Sequence, residues 1–171
     1  MEKTDLFNAY YGEDPDYYSD KMTEYEDGHK FSFNFWAGFF GCFWFFYRKM
    51  YVAGTIVMFF TAIETILSYY YILSIDPPVS SLYFHFFQVI NFFIFLLIIS
   101  FLANTVYIKK SILVVKKVLL EHKPEEPDSK DLALLSMKGG VSVAASIIPL
   151  AILFVFAIGV SAYLFAYHIY I

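Results

Sequence analysis

The amino-acid sequence predicts an all-α integral membrane protein with three transmembrane helices, an aromatic interfacial or half-inserted helical segment, and a cytoplasmic amphipathic helix. Composition is the first reason. Of the 171 residues 59% are hydrophobic and 22% aromatic, with only 16% charged, the profile of a chain solvated by lipid. Segregation is the second: three stretches long enough to cross a bilayer carry almost no charge, while lysine and arginine collect in alternate connecting segments. A net charge of -4 leaves no electrostatic footprint for nucleic acid, so no such partner is expected.

Residues 1–30 hold most of the acidic groups, with Tyr10-Tyr11 and Tyr17-Tyr18 set among them and "GEDPD" as a breaker. Lacking a sustained helical or alternating pattern, this segment is expected to be a mobile tail. The alternative is an arm that docks on a basic surface of a partner or of the chain's own lysine-rich loop. A basic start followed at once by an apolar run is missing, so the N-terminus is expected to be retained.

Residues 31–50 read "FSFNFWAGFFGCFWFFYRKM". Phe31 to Tyr47 is about 17 uncharged residues, the bottom of the spanning range, and Arg48-Lys49 leaves almost no loop before the next apolar run. Trp36, Trp44 and Tyr47 favour the headgroup zone, and Gly38 and Gly41 interrupt a helix where a bend is useful. An interfacial or half-inserted helical hairpin is therefore favoured over a fourth span. Cys42, the only cysteine, reads as a small packing residue.

Residues 51–75 contain one charge, Glu64, and extend roughly 37 Å as a helix, enough to cross a hydrocarbon core of about 30 Å with tilt. A short turn with Asp76 and two prolines leads to a second span at 82–107. In residues 108–138, Lys109, Lys110, Lys116 and Lys117 gather on one side of a helical wheel, with Ile112, Val115, Val118 and Leu119 opposite. That is a basic amphipathic helix leaving the membrane. "KPEEPDS" breaks it and "DLALL" begins another short helix. Residues 141–171 form one span kinked near Pro149, since two crossings would need about 40 residues.

Lysine and arginine crowd the central loop and Arg48-Lys49 but are missing from the Asp76 turn. The positive-inside rule then puts the N-terminus in the cytoplasm and the C-terminus outside. With this threading, Asn91 and, one turn away, Gln88 come to the depth of Glu64, with Thr65 and Ser161 as further candidates. A mid-bilayer carboxylate costs on the order of 2.5 to 3.5 kcal/mol, so a compensating partner is required. Either Glu64 is hydrogen-bonded within the bundle, or it is a proton- or cation-binding site.

His85 and His168 share the outer boundary, where an interfacial role is favoured over a metal. No metal or cofactor is expected. Trp36, Trp44, Arg48, Lys49, Lys109, Lys110, Lys116 and Lys117 are expected to meet anionic lipid headgroups. Ser142 with Ser146, Ala157 with Ser161 and Ala162 with Ala166 recur at a spacing that lets helices approach closely. No phosphate loop or nucleophile motif is present, and enzyme activity is not expected.

Phe35-Trp36, Phe39-Phe40, Phe43-Trp44 and Tyr47-Arg48-Lys49-Met50-Tyr51 together resemble the opening motif of a family of small bacterial inner-membrane proteins, the domain of unknown function 2628. Ala103-Asn104 with Tyr107 and Lys110, and Gly139-Gly140-Val141-Ser142, are similar to two later features of that family. The resemblance covers residues 31 to 143 and leaves out the acidic tail. It implies architecture and a bacterial source, with no reaction and no catalytic residue. The functional expectation is a structural or interaction subunit that meets another membrane protein or a second copy of itself; the alternative is a small transporter component using Glu64.

Overall fold

The computed structural model describes residues 3–74, 81–122 and 129–169. Every regular element among the described residues is a helix, without a strand: α1 Lys3–Tyr11, α2 Pro15–Glu26, α3 Phe35–Phe40, α4 Cys42–Tyr47, α5 Tyr51–Leu73, α6 Ser81–His122, α7 Ser129–Lys138 and α8 Val143–Ile169. Three helices are long and apolar enough to cross a membrane. The turn at Asp76 and the "KPEEPDS" break fall largely outside the described residues.

Two kinds of surface divide the molecule. Along α5, the first half of α6 and α8, large apolar side chains such as Phe59, Ile63, Phe92, Phe93, Ile148 and Phe154 are half or more exposed. Helices apolar on all sides suit lipid, where the backbone satisfies itself and side chains need no partner. The buried core lies at one end, in a head built by α1, α2, α4, the second half of α6 and α7. Leu6, Tyr10, Tyr11, Tyr18, Tyr107, Val118 and Leu135 are almost wholly buried there.

The N-terminal segment differs most from expectation. Instead of a mobile tail, residues 3–26 form two helices packed into this core. Leu6, Phe7, Tyr10 and Tyr11 recur at i, i+1, i+4 and i+5, which gathers four large side chains on one face of α1. Tyr18 and Met22 do the same on α2. Pro15 starts α2, where a missing N–H costs nothing, and Ser19 Oγ donates to Asn8 Oδ1 at 2.9 Å to join the two helices.

The stretch 31–50 also resolves into a definite form. It holds two helices of six residues each, about 9 Å apiece, so neither crosses a bilayer. Asn34 caps α3 by accepting from Ala37 N–H at 3.0 Å, and its own N–H donates to the Ser100 carbonyl at 2.9 Å. Gly38 permits α3 to lie against α6, because a Cβ there would sit 1.9 Å from Ser100 Oγ.

No break separates the second span from the amphipathic segment. α6 is one helix of 42 residues, about 63 Å long, and its second half forms the spine of the head. The apolar stripe opposite the lysines is covered by protein: Val115 and Val118 are buried, with Ile112 and Leu119 packed on the same core. α8 runs unbroken from Val143 to Ile169 with Pro149 inside it.

The corner between α7 and α8 receives the end of α1. Gly140 N–H donates to the Tyr10 carbonyl at 2.7 Å, Ser142 N–H donates to the Tyr47 carbonyl at 2.8 Å, and a Cβ on Gly139 would lie 1.9 Å from the Tyr10 carbonyl oxygen. Gly139→Ala is expected to destabilise the head by about 1 to 3 kcal/mol through overpacking. Thermal unfolding in detergent checks this, with Gly159→Ala, where nothing lies within 4 Å, as the unchanged control.

Candidate functional site

Arg48 sits where α4 ends, and it is the hub of the head. Although an arginine, it is only 4% exposed. Its Nη1 donates to the Tyr11 carbonyl at 3.3 Å and the Glu13 carbonyl at 3.2 Å, and Nη2 lies 3.5 Å from Asp14 Oδ2. Tyr11 is the last residue of α1, so the cation meets the free carbonyl and the negative end of a helix. The guanidinium carbon is 4.6 Å from the centre of the Tyr18 ring, 5.6 Å from Tyr107 and 5.8 Å from Tyr47. Such faces attract a desolvated cation.

Around it the rings form a continuous aromatic cluster. Tyr107 touches Tyr10, Tyr11, Tyr18 and Trp44 at centroid distances of 5.9, 5.9, 4.8 and 6.1 Å. Burial pushes the Tyr10, Tyr11 and Tyr18 hydroxyls above their usual range; at Tyr18 the Arg48 charge partly offsets this. They therefore remain neutral phenols. Tyr11 shares a hydrogen bond with Ser111 Oγ at 3.2 Å. The Tyr107 hydroxyl faces Arg48 without closing a well-formed hydrogen bond, and Tyr10 Oη and Arg48 Nε have no partner among the described residues.

A polar knot completes the assembly. Asn104, fully buried on α6, donates to Tyr17 Oη and Ser32 Oγ, each at 2.9 Å, and accepts from Asn34 Nδ2 at 2.8 Å. Thr105 Oγ1 donates to the Lys30 carbonyl. Tyr47 Oη donates to Glu13 Oε2 at 2.8 Å. Beside the cluster lies a groove of about 760 Å³ walled by α3, α4 and the start of α2, with Arg48, Asp14 and Asn34 among its polar groups and Ser146 of α8 at its edge.

Several residues expected at the headgroups are engaged within the protein. Trp44 is buried against Tyr107, and Arg48 is enclosed by carbonyls and rings; both are structural because the head covers them. Lys49 Nζ donates to the Met137 carbonyl at 3.0 Å and Lys110 Nζ to the Lys49 carbonyl at 2.7 Å, stitching α4, α6 and α7 together. Trp36, Lys109, Lys116 and Lys117 are exposed, with Lys117 3.6 Å from Glu121.

In the membrane half, Glu64 Oε1 accepts from Ser68 Oγ at 2.9 Å and from Asn91 Nδ2 at 3.4 Å. Gln88 makes no hydrogen bond to Glu64 among the described residues, and Thr65 Oγ1 donates to the Thr61 carbonyl instead. The side chains of Ser161, His85 and His168 lie outside the described residues. Among those described, no group of three His, Cys, Asp or Glu residues could hold a metal.

What reading along the chain missed is the tyrosine cluster itself. The signal was the spacing of Leu6, Phe7, Tyr10 and Tyr11, masked by the surrounding carboxylates. The Ala103-Asn104, Gly139-Gly140 and Tyr47-Arg48 features converge on these same two N-terminal helices, a convergence only three dimensions display. A family model described as "Protein of unknown function (DUF2628)" matches residues 4–112. The match begins inside the segment that the resemblance had left out, and it ends before Gly139. No curated protein and no solved structure matches.

Proposed function

Since the chain belongs to the family of proteins of unknown function DUF2628, we propose that it is a non-enzymatic interaction subunit of a bacterial inner membrane, its head in the cytoplasm and its C-terminus outside. The observation that supports this is α8. Among the described residues its main packing partner is α4, at the head, while Val143, Ile147, Leu150, Phe154 and Val155 stay exposed along it. A spanning helix left this bare takes lipid or a partner helix as its neighbour. The head holds three spanning helices by their ends, and the orientation follows from Arg48, Lys49 and the lysines of α6 and α7 standing at that end.

Affinity purification from the native membrane in mild detergent tests the reading. A defined membrane partner is expected, with recovery falling when Ala151 and Val155, one turn apart on α8, are both changed to tryptophan. A chain that purifies alone and monomeric sinks it.

The Glu64–Asn91 contact favours a second reading, a transport component with an intramembrane carboxyl site. Phe60 and Phe95, stacked at 6.0 Å, are a further link between the same two helices. Glu64→Gln keeps an oxygen that can accept from Ser68 and Asn91, so the fold is expected to survive. Proton or cation flux into vesicles is expected to drop to background; unchanged flux removes the carboxyl from any transport path.

A further inference from the structure

The groove beside Arg48 has the shape and surroundings of a lipid site. Its volume of about 760 Å³ falls within the roughly 300 to 1,000 Å³ typical of small-molecule sites. Phe35, Trp36 and Phe40 wall it while remaining 50%, 61% and 48% exposed, so its aromatic side is continuous with the outer surface. Ser146 sets its edge at the start of α8, where the apolar surface of a spanning helix begins. An acyl chain leaving the bilayer alongside α8 meets an aromatic trough without crossing water.

The polar end of the trough is asymmetric. Arg48 is buried and already compensated by two carbonyls, whereas the side chain of its ion-pair partner Asp14 is 71% exposed. The second carboxylate oxygen of Asp14 has no partner among the described residues, whereas the carboxylate of neighbouring Glu13 accepts from Tyr47 Oη. Tyr17 and Trp36 line the same space, with Lys21 Nζ 5.8 Å from the centre of the Tyr17 ring. A carboxylate next to aromatic faces attracts an ammonium group and repels an anionic headgroup.

We propose that this groove binds one phospholipid whose headgroup carries an ammonium, with an acyl chain along Phe35, Trp36 and Phe40 and the ammonium at Asp14. The assignment runs against the general attraction of the exposed lysines for anionic lipid, which belongs to the α6 side of the head.

Native mass spectrometry of the full chain, released from vesicles of equal phosphatidylethanolamine and phosphatidylglycerol, tests it. One retained phosphatidylethanolamine is expected, preferred over phosphatidylglycerol about two- to fivefold, the range of an exposed ion pair with a cation–π contact. Asp14→Asn is expected to abolish the preference while leaving retention intact, because asparagine tolerates the left-handed backbone at residue 14 (φ 60°). Ser146→Trp, at the half-buried edge of the groove, is expected to fill the groove and remove the bound lipid, with thermal unfolding unchanged. Equal retention of both lipids, a preference for phosphatidylglycerol, or lipid that survives Ser146→Trp overturns the proposal. So does a dimer that Ser146→Trp dissociates with no lipid bound, since the occupant is then a second copy.

Discussion

Arg48→Ala is expected to lower the stability of the head by about 3 kcal/mol. The ion pair with Asp14 supplies little of this, because Asp14 is largely exposed and such pairs contribute about 0 to 1 kcal/mol. The larger part comes from two carbonyls, that of Tyr11 buried and that of Glu13 half-buried, which lose a charged donor. The rings of Tyr18 and Tyr107 also lose a cation worth up to about 2 kcal/mol when desolvated. Arg48→Lys is expected to recover only part of the loss, since one ammonium cannot serve both carbonyls and lie flat on the rings. Thermal unfolding in detergent reads the magnitude. Limited proteolysis in residues 27–34, between α2 and α3, reads the release of the N-terminal helices; a variant as stable and as protected as the parent removes Arg48 from its place as hub.

Tyr107→Ala is the other large effect. The ring touches four aromatic residues from α1, α2 and α4, and deleting a buried aromatic side chain costs about 3 to 5 kcal/mol. Tyr107→Phe is expected to cost less than about 1 kcal/mol, because the hydroxyl lost is buried without a well-formed hydrogen bond. The pair separates packing from hydrogen bonding at one position. Equal losses in the two variants would falsify the packing account.

Much of the membrane half was legible along the chain. Long apolar runs at 51–75, 82–107 and 141–171 correspond to α5, to part of α6 and to α8, because backbone satisfaction in lipid forces such runs into helices whatever their neighbours. The meeting of Glu64 with Asn91 followed from counting depth on either side of a short turn. Gln88 did not join them, since depth fixes height but not the rotation of a helix.

The head was much less legible. Tyr10, Tyr11 and Tyr18 carry no mark in the sequence of the partners that bury them, which lie about a hundred residues away on α6 and at Gly139. An acidic segment reads as solvated when its carboxylates are counted; it packs when four apolar side chains share a face and a spine rises to meet them. Arg48 and Trp44 misled for the same reason, because both are ordinary headgroup residues until two helices cover them.

Composition and the spacing of charge determined that this chain is helical and that three of its helices suit lipid, because the cost of an unpaired polar group in hydrocarbon acts residue by residue. Tertiary structure alone decided that the N-terminal helices close over Arg48, that α6 continues past the apolar zone as a spine, and that a groove opens beside it. Those outcomes depend on contacts between segments far apart in sequence, whose strength is set by shape and enclosure and therefore exists only once the chain has folded.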